Sequence, residues 1–223
     1  NRQHAALYAA TNADILLKNK QYKEAIPFIK IALPSETKKM YRPRFQFVLG
    51  QLYQLQGDIK QARESYQKVL KMQPSNEMDF NIRLRIAQLE SSTKEGLKIL
   101  QKMAKLDKNK DALDQIYGAI GNIYLMDRDT TKAMEYYVKA IEGSTQNGIE
   151  KANVLIIAGD IYYQQRNYIQ ASPCYQEAIQ LLSADNEEYD RIRRRSETLD
   201  ELVVEYSTVQ LQDSLQRLAL LTP

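Results

Sequence analysis

The 223-residue chain contains no Trp, one Cys, one His, four Phe, eight Gly and six Pro. Each shortage excludes something. A single cysteine, Cys174, cannot close an internal disulfide or build a cysteine-based zinc site. A single histidine, His4, near the start of the chain, leaves no set of positions from which His–Cys or His–carboxylate machinery could be assembled. So few glycines and prolines do not supply the frequent turns of an all-β chain, and helices are the default. No run of about 18 apolar residues is present, so no segment of this chain is expected to insert into a membrane. The net charge of +3 is too small and too dispersed for a nucleic-acid-binding face. GxGxxG, P-loop, HExxH and EF-hand spacings are all missing, so no catalytic residues, metal or cofactor are expected.

What is present is 43% apolar residues, enough for a core, and fifteen tyrosines. The tyrosines fall into a repeat of about 34 residues, the period of helical tetratricopeptide (TPR) hairpins. Leu49-Gly50, Tyr53, Ala62, Tyr66 and Pro74 form one unit. Ile120-Gly121, Tyr124, Ala133, Tyr137 and Ala140 form another, and Ala158-Gly159, Tyr162, Ala171, Tyr175 and Ala178 a third. A weaker unit runs through Ala13, Leu16, Ala25, Ile29 and Ala32, and a trimmed one through Met78, Ile82, Ile86, Leu89, Leu97, Leu100, Ala104 and Leu106. The expected fold is therefore all-α: an α-α superhelix, a TPR solenoid of about five hairpins. The array spans 1–186, with units near 6–39, 43–76, 77–111, 114–147 and 152–185, and 187–223 forms a C-terminal helical cap or extension.

Local expectations follow. A glycine inside a helix costs roughly 1 kcal/mol relative to alanine. Gly50, Gly121 and Gly159 are read as sites of close helix–helix approach, answered by Ala62, Ala133 and Ala171. Tyr53, Tyr124 and Tyr162 are expected to fill the gaps between hairpins. Pro27 and Pro173 share a repeat position early in a second helix, where the first N–H groups lack acceptors anyway. Lys105 to Asp111 reads as a loop or helix end, and Gly143 to Gly148 as an inter-repeat loop. Glu187 to Tyr206 should be one helix, with Ile192, Leu199, Leu202, Val203 and Tyr206 on one face; Leu211, Leu215, Leu218 and Leu221 mark a last segment. The arginine run Arg191, Arg193, Arg194 and Arg195 lies among acids and reads as an ion-paired, exposed helix face, with an anionic partner as the alternative. Cys174 reads as a buried small hydrophobe.

In a TPR array the useful surface is the concave face lined by first helices. Counting from each glycine points to Arg44, Phe47, Gln51 and Gln54, then Asn122 and Met126, then Asn153, Asp160, Tyr163 and Gln164. This amide- and Tyr-rich lining suits an extended peptide or another protein; packing on the neighbouring first helix is the equal alternative. Reversing the charge of Asp160 together with Tyr163→Ala is expected to abolish capture without unfolding. The Lys and Asn set that clamps a C-terminal carboxylate in some TPR domains is not supplied by Ala10/Asp14, Phe47/Gln51 or Gly118/Asn122.

The segments Gln115-Ile116-Tyr117-Gly118-Ala119-Ile120-Gly121-Asn122-Ile123-Tyr124, Leu211-Gln212-Asp213-Ser214-Leu215-Gln216-Arg217-Leu218 and Pro74-Ser75-Asn76-Glu77-Met78-Asp79-Phe80-Asn81 carry a closer likeness. They resemble the large TPR lipoproteins of Bacteroidota, the PorW/SprE type of type IX secretion and gliding motility. The resemblance implies a non-catalytic scaffold, periplasmic and held at the outer membrane by a lipid anchor upstream of this chain, with Cys174 not the lipid-bearing residue. The alternative is a peptide-binding sensory or regulatory TPR domain of a cytoplasmic multidomain protein. Neither the partner's identity nor the oligomeric state is readable from the sequence.

Overall fold

The computed structural model describes residues 2–35, 41–90, 92–144 and 148–220, and among these every regular element is helical. The helices are α1 (Arg2–Lys18), α2 (Tyr22–Ala32), α3 (Tyr41–Leu55), α4 (Ile59–Leu70), α5 (Asn76–Gln88), α6 (Thr93–Ala104), α7 (Leu113–Met126), α8 (Thr130–Gly143), α9 (Ile149–Gln164), α10 (Tyr168–Leu181) and α11 (Tyr189–Ala219). They divide into two compact units, Asn1–Ile99 and Leu100–Pro223.

The turns inside four of the hairpins share one construction. After α1, α3, α7 and α9, a single residue takes a left-handed conformation: Lys20, Gly57, Arg128 and Arg166, with φ of 59°, 76°, 63° and 57°. The next N–H reaches back to the preceding helix, as from Asp58 to the Tyr53 carbonyl (2.9 Å) and from Asn167 to the Tyr162 carbonyl (2.9 Å). This is the Schellman closure, which satisfies the last carbonyls of a helix. That next residue then starts the second helix. Asp58, Asp129 and Asn167 accept the N–H groups of Gln61, Lys132 and Gln170 at 3.0, 3.1 and 3.3 Å. Only Gly57 meets the left-handed requirement without strain. Arg128→Gly should therefore raise stability by about 0.5–1 kcal/mol, read as a shift in the urea midpoint at constant slope.

In the first unit, α1 and α2 pair, as do α3 and α4, around Ala13, Ala25, Ile29, Leu49, Leu52, Tyr66 and Val69, joined by Ile82 and Ile86 of α5. Arg63 on α4 closes an ion pair with Glu90 at 2.9 Å. In the second unit, α7 packs on α8 and α9 on α10, and α11 lies against α10. Before α7, Asp107–Ala112 forms a 3₁₀ turn rather than an open loop. The buried Asn109 side chain locks it by donating to the Met103 carbonyl at 2.8 Å. Leu106 is exposed, so the apolar stripe of α6 ends at Met103.

Three local expectations need correction. Pro27 and Pro173 are the sixth residues of α2 and α10, beyond the first turn. Each therefore removes one internal hydrogen bond, and the helix continues through it. The C-terminal segments are not separate: α11 is one helix of 31 residues. Its first turns bury Ile192, Ser196 and Leu199. Leu202 is 39% exposed, and Val204, Val209, Leu211, Leu215 and Leu218 are more exposed still. Only the first part of α11 covers apolar surface in the manner of a cap. Leu221 lies outside the described residues.

The third correction concerns the repeat glycines. A Cβ placed at Gly50 would lie 2.6 Å from a ring carbon of Tyr66; at Gly121 it would lie 2.5 Å from Tyr137, and at Gly159 3.0 Å from Tyr175. The second helix does come close at these glycines, but a tyrosine ring fills the notch. Ala62, Ala133 and Ala171 are fully buried, but they are not among the atoms nearest the notch.

Candidate functional site

The notch sets up a repeated polar contact. Sixteen residues after each glycine comes the buried tyrosine of the second helix, Tyr66, Tyr137 or Tyr175. With its ring seated against the glycine of α3, α7 or α9, its hydroxyl reaches a polar side chain of that same helix. There it donates to Gln54 Oε1 (2.9 Å), Asn122 Oδ1 (2.7 Å) and Asp160 Oδ1 (2.6 Å). A buried hydroxyl needs such an acceptor, because desolvation without one costs about 1–3 kcal/mol. Three expected partner-binding residues are therefore engaged within the fold.

Burial pushes all three phenols above the ordinary tyrosine value, and the nearby Asp160 carboxylate adds to the effect at Tyr175. The raised folded pKa favours the neutral form. The corresponding stability is fully present below the unfolded value of about 10 and is lost as pH rises beyond it. The melting temperature should therefore fall steeply above about pH 10, and Tyr137→Phe should make that fall shallower. A fall as steep in Tyr137→Phe as in the parent would show that this phenol does not contribute.

In the last hairpin the acceptor is charged, and this builds the most polar constellation in the second unit. Asp160 receives Tyr175 from α10, and also Arg191 (3.1 Å) and Arg195 from α11. Arg195 further donates to the Tyr175 hydroxyl at 3.1 Å and lies over the Tyr163 ring at 4.6 Å. Arg191 also reaches Glu188 at 2.6 Å. Two members of the arginine run thus turn onto α9, while Arg193 pairs along its own helix with Asp190 (3.5 Å) and Glu197 (4.0 Å). The expected ion-paired outer face describes Arg193 in full and Arg191 in part, through Glu188. Arg194 is exposed and has no side-chain partner among the described residues.

Beside this constellation lies a groove of about 490 Å³ between α9 and α11. Its walls are Tyr163, Arg191, Arg194, Arg195, Thr198, Leu199 and Leu202. Leu199 is 1% exposed and forms the floor; Leu202 and Tyr163 are open at 39% and 38%. The groove therefore offers an apolar strip edged by guanidinium groups.

The remaining expected residues are not among those lining this groove. Arg44 is exposed on α3 and Gln51 is half-buried. Phe47 is half-buried, with Tyr66 at 5.7 Å and the Arg85 guanidinium 5.7 Å from its ring centre. Met126, Asn153 and Gln164 are exposed. Of the expected set, only Asp160 and Tyr163 come together around the groove. Arg191, Arg194, Arg195, Thr198 and Leu202 were missed as lining residues, although the arginine run was a visible signal. Reversing Asp160 is not the mild change expected, because that carboxylate ties three helices together.

Cys174 is half-buried and donates weakly to the Gln170 carbonyl at 3.3 Å. Burial first, and then Glu177, pushes its thiol up to about 11, so little thiolate exists at neutral pH. Among the described residues, no group of three His, Cys, Asp or Glu could hold a metal ion, and no helix is long and apolar enough to cross a membrane.

Paired helices, closed by capped turns and keyed by a glycine–tyrosine contact, define the class as helical-hairpin repeat proteins. Residues 1–157 match the tetratricopeptide repeat-like domain family and residues 152–181 match the tetratricopeptide repeat, so the chain belongs to the tetratricopeptide repeat-like family. Similar solved structures share the fold at low identity. BtubC (BKLC) from P. vanneervenii is 14% identical, with a TM-score of 0.57, covering 97% of this chain and 90% of that one. PilF of Pseudomonas aeruginosa is 16% identical, with a TM-score of 0.52 and coverage of 95% and 99%. MamA of Desulfovibrio magneticus RS-1 is 18% identical, with a TM-score of 0.51 and coverage of 79% and 94%. No curated protein matches the chain.

Proposed function

We propose that this chain is a non-catalytic protein-binding scaffold of a cell-envelope secretion or gliding assembly. It stands on the periplasmic side of the outer membrane through an anchor upstream of the chain, and it holds its partner along the α9–α11 groove. Membership of a repeat family built for protein and peptide interaction supports the scaffold role. The likeness of the three segments quoted above to the PorW/SprE-type lipoproteins supports the location. The observation that carries the docking surface is the groove itself, an open apolar strip next to a guanidinium with no side-chain partner among the described residues.

The test uses Leu202→Glu, which places a charge at the groove rim and leaves the buried Leu199 in place. With the chain as bait in the native bacterium, cross-linking should recover cell-envelope proteins. Leu202→Glu should reduce that recovery by about tenfold at an unchanged helical circular dichroism spectrum and melting temperature. Recovery of cytoplasmic proteins alone would refute the location. Recovery indifferent to Leu202→Glu would refute the docking surface.

A further inference from the structure

We propose that the α9–α11 groove recognises an acidic-apolar segment of its partner: a single carboxylate on Arg194, next to an aliphatic or aromatic side chain lying on Leu202 and Tyr163. The inference rests on the groove being the docking surface and adds the chemistry of what enters it.

The guanidinium inventory selects the anion. Arg191 and Arg195 both direct their charge to Asp160, and Arg191 also to Glu188. Arg193 is occupied by Asp190 and Glu197. Arg194 alone brings a fork of donors to the groove with no carboxylate answering it among the described residues. One uncommitted guanidinium matches one carboxylate, which it can hold bidentately. A phosphate monoester carries closer to two charges and is held where several guanidiniums converge on it. That convergence here is already used by Asp160. Asp160 also repels a second anion that penetrates deeper, so the carboxylate belongs at the Arg194 rim.

The apolar half of the ligand follows from the strip. Tyr163 is fixed from one side by the Arg195 guanidinium at 4.6 Å and from another by Tyr168 at 5.6 Å. Its exposed edge is therefore preorganised, as is the Leu199 floor. A side chain laid across Leu202 and Tyr163 buries apolar surface at little ordering cost to the protein. Nucleic acid fits poorly, since the single guanidinium of the groove left without a carboxylate among the described residues cannot follow a phosphate chain.

The test titrates the full chain into fluorescein-labelled Gly/Ser dodecapeptides carrying a central Leu-Asp-Leu, Leu-Asn-Leu or Leu-Lys-Leu, read by anisotropy. The Asp peptide should bind about tenfold more tightly than the Asn peptide, and the Lys peptide more weakly than either. Arg194→Ala should erase the preference for Asp over Asn, while Arg194→Lys should retain part of it. Melting temperatures should be unchanged, because Arg194 has no side-chain partner to lose among the described residues. Equal binding of the Asp and Asn peptides, or no detectable binding of the Asp peptide up to millimolar protein, overturns the proposal. So does displacement of the Asp peptide by inorganic phosphate at matched ionic strength, or Arg194-dependent retention on phosphatidylglycerol vesicles. The two readings fail separately. Native partners lost with Leu202→Glu but indifferent to Arg194→Ala leave the docking surface standing and remove the acidic ligand. Partners indifferent to both variants remove the docking surface.

Discussion

Gly121→Ala should destabilise the chain by about 2 kcal/mol, against the usual direction for that substitution in a helix. Alanine normally gains roughly 1 kcal/mol over glycine through helix propensity. Here the added methyl would stand 2.5 Å and 2.6 Å from two ring carbons of Tyr137. The ring cannot swing aside, because Tyr137 is fully buried and its hydroxyl is held by Asn122 at 2.7 Å. Forcing a methyl into such packing costs about 1–3 kcal/mol, and a ring that shifted to relieve it would give up the Asn122 hydrogen bond, worth about 1 kcal/mol. Gly143, the last residue of α8, is the internal control. Nothing lies within 4 Å of its Cβ position, so Gly143→Ala should be neutral or slightly stabilising. Chemical denaturation of both variants checks the pair; equal effects would show that the tyrosine notch does not govern the glycine.

Asp160→Ala should cost about 2 kcal/mol and loosen α11 more than the rest of its unit. Three donors converge on this carboxylate: the Tyr175 hydroxyl and the guanidiniums of Arg191 and Arg195. Removing it leaves a buried phenol without its acceptor and Arg195 without its carboxylate, while Arg191 keeps only Glu188. The figure stays near 2 kcal/mol because the Asp160 side chain is 31% exposed and solvent screens part of the loss. Asp160→Asn keeps the acceptor for Tyr175 and loses only the charge, so it should fall between parent and alanine variant. Hydrogen exchange gives the local readout. Amides of Ile192 to Leu199 should lose protection before those of α7, and uniform loss across the unit would contradict this account.

The site was legible only in pieces. Asp160 and Tyr163 follow from counting along a first helix, because repeat register is a local property. Arg191 and Arg195 were visible as part of a basic run, but their direction was not. Sequence neighbours Glu187, Glu188, Asp190 and Glu197 offer the same arginines equally plausible partners one turn away. Contact with Asp160, across a separation of 31 and 35 residues, wins because α11 docks on α10 with Ile192 and Leu199 buried. That docking aims both guanidiniums at α9.

The sequence alone determined the helical-hairpin architecture and its register. Both rest on short-range signals: apolar spacing along a helix, small residues at fixed offsets and turn residues between them. It also determined which positions hold Gly50, Gly121 and Gly159, though not what fills their notches. Tertiary structure decided that the rings of Tyr66, Tyr137 and Tyr175 do so, and that Gln54, Asn122 and Asp160 are taken up by their hydroxyls. It decided as well that α11 continues as one helix and leaves Arg194 beside an apolar groove. These outcomes depend on the angle and depth at which one helix settles on another. That geometry is set by the summed packing of many side chains and is written in no single stretch of sequence.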